Sequence, residues 1–439
     1  MTSFVLSHDW QVPDLGEPIC RQTTGPFLMS VNGVTLTQCE DIWSRTVRES
    51  VQVSAYPVAL WFAANWWRIC TEPLPHRGSF PSTDWRLSHE LGSAATGYVW
   101  PQVLFASDGE AIYVWAASSN PNSKQSIKYL SGLDIPARIS IQEFQSVVAR
   151  YIDDVLARLA AVGLNNTELR ELWKVVRTEA KDQLISLKRR REAVLGFDPE
   201  ELPNSIEAEA LQLEKRIGAS SLEELAPAYG ALALKEIIAL RNCPGPVGRI
   251  ELSIPDAAAG DTSLLPWQRA VSDAKALRDR TVNNGPVSTE QLCELLGIAR
   301  TDYDSLVPTH RLKTAVAIPQ GRNRRYVFRK KLESGRRFEA ARFFADHIFS
   351  ANSDSKWLAS TDLWTSRQRY QKAFAAEYLC PIDDLRDFLD GDYGTSAIDD
   401  AANHFQVSPY TVTSLLANNG VVPRHWAESP VNDTMWMSQ

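Results

Sequence analysis

Along the first 140 residues, apolar positions recur at the short spacing of strands and are punctuated by turn signals. FLMSVNGVTLTQC (27–39) sets an Asn-Gly pair between alternating segments, and LFASDGEAIYVWAA (104–117) sets an Asp-Gly pair, each a hairpin signature. From about Ile141 the period lengthens. FQSVVARYIDDVLARLAAVGL places Val147, Val148, Tyr151, Ile152, Val155, Leu156, Leu159 and Ala160 on one helical face. Asn166-Thr167 opens a second helix running to about Gly196. Lys188-Arg189-Arg190-Arg191 falls in its last turns, where cations complement the helix dipole. FDPEELPN leads into further helices ending near Arg241, and the Pro-, Gly- and Ala-rich stretch 242–267 reads as a boundary.

Past that boundary, 267–281 predicts a helix and VSTEQLCELLGI (287–298) a short one capped by Ser288. LKTAVAIP and RRYVFRK are two strands around a Gln320-Gly321-Arg322-Asn323 turn. A helix opens at Arg336-Arg337-Phe338, with Phe338, Ala341, Ala345, Ile348 and Phe349 apolar. Another carries YQKAFAAEYLCP to Pro381, and two short helices, split at Ser408 and closed by Gly420, end the pattern. The expected class is α+β. It comprises a Trp-rich mixed β/α domain over 1–140, a helical region over 141–243, a linker over 244–265, a C-terminal domain over 266–425 and a tail over 426–439.

Composition narrows the class. With 44% hydrophobic and 23% charged residues the chain is an ordinary globular one. Its longest apolar run, Val58 to Ala64, falls far short of the roughly 18 residues that span a bilayer. MTSFVLSHDW has no basic and apolar leader pattern, so a cytoplasmic location without membrane contact is expected. The six cysteines form no CxxC pair, which argues against a zinc ribbon, an iron–sulfur site or a disulfide framework. Eight of the fourteen tryptophans fall within residues 1–115, a density read first as core packing and second as a recognition groove.

The net charge of -7 hides an asymmetry. Residues 311–342 hold eleven Lys or Arg against Glu333 and Glu339 alone. Two readings follow. Arg322, Arg324, Arg325, Arg329, Lys330 and Lys331 form a nucleic-acid contact, or the strip is a solvated face paired with acids elsewhere. The terminal helix pair has helix-turn-helix spacing, and Tyr410, Thr411, Thr413 and Ser414 are able to hydrogen-bond. Its second helix nevertheless holds no Lys or Arg to supply phosphate contacts.

Four stretches occur in an order that resembles the ImmA/IrrE family of small zinc peptidase-like domains. They are Val287–Ile298, Arg337-Phe338, Phe374–Pro381 (FAAEYLCP) and Ala402–Val412, covering about residues 265–425. The resemblance implies a zincin-type domain whose central helix carries HExxH. There, two histidines one turn apart bind zinc and the Glu polarises water. A third ligand, a Glu, lies on the helix leading into the FAAE stretch. This chain departs at every one of these positions. Arg342, Phe343 and Asp346 stand where the motif would be, and Arg367 to Lys372 offers no carboxylate.

No catalytic residue, metal ligand or cofactor is therefore expected. What the resemblance implies is a degenerate, pseudopeptidase-type regulatory or binding protein with a protein partner. Active relatives cleave repressors in stress-response, mobile-element and phage-defence settings. Arg342 and Asp346, one turn apart, are expected to pair and, with Phe343, to fill the vestigial site, unless both reach solvent. The remaining alternative is a metallopeptidase with a relocated site, recruiting His347 with Asp346, His404 or His310. Ser88-His89-Glu90-Leu91-Gly92 mimics half of the motif outside the resembling region.

Overall fold

A computed structural model describes residues 3–14, 16–75, 81–120, 122, 124–252, 264–282, 285–305, 312–351 and 353–423. It is mixed α+β, with small antiparallel sheets among many helices. Contacts divide the chain into two compact units, parting between Pro203 and Asn204.

In the first unit the Asn-Gly signal makes the hairpin it predicts. Strands Thr24–Val31 and Val34–Thr35 pair with Val31 opposite Val34, and Asn32 and Gly33 both adopt positive φ, as a type I′ turn needs. The Asp-Gly hairpin shifts by one residue. Gly109 and Glu110 form its tip, while the Asp108 carboxylate accepts the amides of Glu110 and Ala111 from the flank. Trp61, Trp66, Trp67, Trp85, Trp100 and Trp115 are buried, so they pack the interior. Trp43 is the contrast, at 86% exposure.

The region 141–243 is divided between the two units. Helix Ile141–Ala161 buries Phe144, Val147, Val148, Tyr151, Ile152, Val155, Leu156 and Leu159 in the same cluster as Phe4, Phe27 and Phe105. Its apolar face needs the sheets, which places it with them; Ala160 alone of the expected face is exposed. The second helix breaks into Glu168–Glu179 and Gln183–Val194, because the Asp182 carboxylate caps the amides of Leu184 and Ile185. Arg189 does more than face a dipole. It is buried, and its guanidinium bonds Glu179 at 2.5 Å and Glu192 at 2.8 Å.

The second unit begins with helices Asn204–Ile217, Ala219–Tyr229 and Ala233–Leu240. Its sheet is antiparallel, in the order Val247–Gly248, Asn323–Val327, Ala315–Gln320, Leu358–Ser360. Part of the expected linker is thus a strand. Glycine is there for close approach: a Cβ at Gly248 would sit 2.5 Å from the Leu296 carbonyl, and one at Gly297 would sit 2.3 Å from that of Arg249. Residues 253–263 lie outside the described residues.

Helices Pro266–Thr281 and Thr289–Leu296 precede the 315–327 hairpin. Ser288 and Gln291 form a reciprocal capping box at the second. The central helix is Glu333–Phe349, followed by strand Leu358–Ser360 and helix Ser366–Leu379. Ala341, Phe343, Phe344, Phe374, Ala375 and Tyr378 join one core with Phe405, Val412 and Leu416 of the last two helices, Thr395–Phe405 and Pro409–Asn418.

Candidate functional site

The central helix presents Arg342 and Asp346 to the segment 358–368 and Phe343 to the end of strand Asn323–Val327, and all three are buried. Phe343 is fully enclosed, its ring 5.5 Å from those of Tyr326 and Phe328. An aromatic carbon frame offers no base for activating water.

Asp346 and Arg342 do not pair, nor do they reach solvent. The partner of Asp346 is Arg367, whose Nε donates to Oδ1 at 2.6 Å and whose Nη2 donates to Oδ2 at 2.7 Å. The Ala359 amide donates to the same Oδ2 at 2.7 Å. Arg367 further donates to the Ser220 carbonyl (3.1 Å) and the Ser355 hydroxyl (3.0 Å). Against burial, which lowers it, the Asp346 carboxylate holds the Arg367 pKa above its ordinary value. The i,i+4 spacing failed as a guide because Arg367, from the neighbouring helix, takes both Asp346 oxygens with a bidentate fork.

Arg342 donates from Nη2 to two neutral oxygens, the Thr361 carbonyl at 2.6 Å and Gln368 Oε1. Its Nε has no hydrogen-bond partner among the described residues. Burial, reinforced by the charge of Arg329, pushes its pKa down to about 10, so it stays cationic at neutral pH. Gln368 Oε1 also accepts the Thr361 amide at 2.8 Å, and Gln368 and Gln371 both donate to the Ala359 carbonyl.

Two carboxylate clusters flank this centre. Glu224, on helix Ala219–Tyr229, accepts the Thr361 and Thr365 hydroxyls at 3.0 Å. Burial pushes its pKa up to about 7, opposed by the Arg367 charge and the two hydroxyls. Arg329 is the hub of the other. Its Nε donates to Glu339 at 2.6 Å, and its two terminal nitrogens grip Asp362 at 2.6 and 2.7 Å. Although burial alone would raise it, Arg329 holds the Asp362 carboxyl well below the usual carboxylate range.

Arg329 is therefore internal, contrary to its expected place on a nucleic-acid face. Arg324 and Arg325 are half-buried and donate to the carbonyls of Lys356 (2.6 Å) and Arg241 (2.5 Å). Arg322, Lys330 and Lys331 are exposed. On the terminal pair Tyr410 is exposed, but Thr411 bonds Ser408 and Thr413 bonds the Pro409 carbonyl.

The histidines are dispersed. His347 is half-buried, and burial together with the Arg324 charge pushes its pKa below the ordinary value. His404 stacks on Phe388 at 4.6 Å, and His89 is sealed between Trp85 and the Phe105 carbonyl. His310 lies outside the described residues. Among the described residues no three His, Cys, Asp or Glu side chains are grouped to hold a metal ion, and no helix is long and apolar enough to cross a membrane.

Sequence reasoning missed Arg367, Gln368, Gln371 and Glu224 as members of the site. Three of them stood in the carboxylate-free Arg367–Lys372 stretch, where the spacing 367, 368, 371 marks one helical face. Glu224 carried no local signal. No family model, curated protein or solved structure matches the chain.

Proposed function

We propose that this is a non-catalytic regulatory or binding protein, whose residues 266–425 form a degenerate ImmA/IrrE-like domain of the zincin type. One observation carries the reading. Arg342 and Asp346, with Gln368 and Arg367 opposite, form a buried lattice of guanidinium, amide and carboxylate bonds, while Phe343 beside them packs into the aromatic core. A metal site needs neutral or anionic ligands converging on an open position, and here the guanidiniums of Arg342 and Arg367 bond to Gln368 and Asp346 instead. The lattice binds the central helix to strand Leu358–Ser360 and to helices Ser366–Leu379 and Ala219–Tyr229, which suits a scaffold that presents its surface to a protein partner. The family setting makes stress response, mobile-element control or phage defence the expected context.

The test is the metal content of the full chain, purified after growth with added zinc, by elemental mass spectrometry. Less than about 0.1 zinc per chain is expected. One zinc per chain would overturn the reading and direct attention to His347 and His404. A second reading, nucleic-acid binding through the strip, is supported by the exposure of Arg322, Lys330 and Lys331. It predicts that charge reversal at these three residues abolishes binding.

A further inference from the structure

A second basic row lies in the first unit, where the sequence reading placed no function. Helices Ile141–Ala161 and Glu168–Glu179 run side by side and enclose an open groove of about 630 Å³. Leu156, Ala157 and Ala160 contribute its apolar lining from the first helix. Along the second run Arg170, Lys174 and Arg177, with Lys181 in the turn just past its end, all lining the groove. The spacing of four and three residues keeps the first three on one helical face, about 4.5–6 Å apart along the axis.

Facing these four cations are two carboxylates, Asp153 and Glu171. Asp153 is already engaged, accepting the Trp173 indole N–H at 2.9 Å and Arg177 at 3.2 Å. Arg170 is half-buried; its Nη2 donates to the Leu156 carbonyl at 3.4 Å, and its Nε has no hydrogen-bond partner among the described residues. A guanidinium N–H withdrawn from water without an acceptor is costly unless a ligand supplies one.

We propose that this groove binds the phosphate backbone of single-stranded nucleic acid. A single row of cations matches one strand. The groove offers no exposed aromatic ring: Trp173, its one aromatic residue, is buried and spends its N–H on Asp153. It therefore recognises charge in the ligand's backbone rather than side chains or bases. An acidic peptide would have to supply a carboxylate at about every second residue to match the row, whereas a nucleic-acid strand supplies one charge per residue in any sequence. Binding is sequence-independent and salt-sensitive. The proposal does not rest on the reading of the buried lattice.

The experiment is fluorescence anisotropy of a labelled 20-nucleotide oligo(dT) titrated with the full chain at 50 and 200 mM salt. Contact with four phosphates, for which Arg177 exchanges its bond to Asp153, gives a slope of log K against log salt of about -2.8, a loss of roughly fifty-fold over that range. Lys174→Glu/Lys181→Glu, at two exposed positions, is expected to weaken binding at least tenfold and to halve the slope. Lys330→Glu/Lys331→Glu is the control, expected to bind as the unaltered chain does. Three results would overturn the proposal: no binding at 50 mM salt, binding indifferent to the 174/181 pair, or binding lost only with the 330/331 pair. A poly-glutamate peptide of equal length that binds more tightly than the oligonucleotide would overturn the ligand class and point to an acidic protein segment. Circular dichroism of each variant checks that the fold is kept.

Discussion

Replacing Asp346 by Asn probes the centre of the buried lattice. The substitution keeps the shape and removes the charge. Asp346 is 0% exposed and receives two bonds from Arg367 and one from the Ala359 amide. In the variant one carboxylate oxygen becomes an NH2 that faces a guanidinium, and Arg367, 5% exposed, loses its only hydrogen-bonded counter-charge. Removing one member of a buried pair costs about 3–5 kcal/mol, mostly from the charge left behind. Such a loss is a large share of the roughly 5–15 kcal/mol that holds a domain folded. The double variant Asp346→Asn/Arg367→Met removes the stranded charge, so it should cost less than the two single changes together, with a coupling of about 1–3 kcal/mol. Since contacts divide the chain into two compact units, the assay must read the second one: urea titration followed by hydrogen exchange in peptides spanning 333–379. A loss below about 1 kcal/mol for Asp346→Asn, or strict additivity in the double variant, would refute the account of Arg367 as the charge that Asp346 neutralises.

Glu224 gives stability a pH dependence. Its folded pKa of about 7 lies above the ordinary 4.5, so the folded state holds a proton that the unfolded chain has released. Stability of the second unit should therefore fall as pH rises from about 4.5 to 7, by about 3 kcal/mol, and level off above. Glu224→Gln should remove that slope and be the more stable protein at pH 8, as urea midpoints at pH 5, 6, 7 and 8 would reveal. Gly297→Ala should destabilise the same unit by about 2 kcal/mol or more. It places a side chain at φ +63° and a Cβ 2.3 Å from the Arg249 carbonyl; a thermal midpoint unchanged from the parent would contradict this.

Where structure is decided by neighbours in the chain, the sequence was readable. Asn32-Gly33 set a turn, Ser288 capped a helix, and the 3.6-residue period from Val147 to Leu159 identified a buried face. Tertiary pairing was not readable in the same way. Arg329, Arg342 and Arg367 look alike in a sequence, and charge runs usually mean solvent; only the fold brings Glu339, Asp362 and Asp346 within bonding distance of two of them. The domain boundary failed for a related reason. FDPEELPN breaks the helical pattern just before Asn204, but a short break between helices does not record that residues 141–194 bury against sheets while 204–240 bury elsewhere. The row at 170, 174, 177 and 181 was visible in the letters, but a helical stripe of cations gains meaning only when a groove lies beside it.

Arg337, at the start of the central helix, carries a consequence for how the polypeptide is made. It is 1% exposed, and its guanidinium donates to the Val287 carbonyl, the Thr289 hydroxyl and the Gln406 carbonyl. The first two acceptors leave the ribosome before Arg337 does; the third follows 69 residues later. A nascent chain that has emerged only as far as helix Ser366–Leu379 therefore still has the last acceptor of Arg337 inside the exit tunnel. The second unit reaches its final packing only once the closing helix pair has cleared the exit tunnel, which makes that pair the latch of biogenesis.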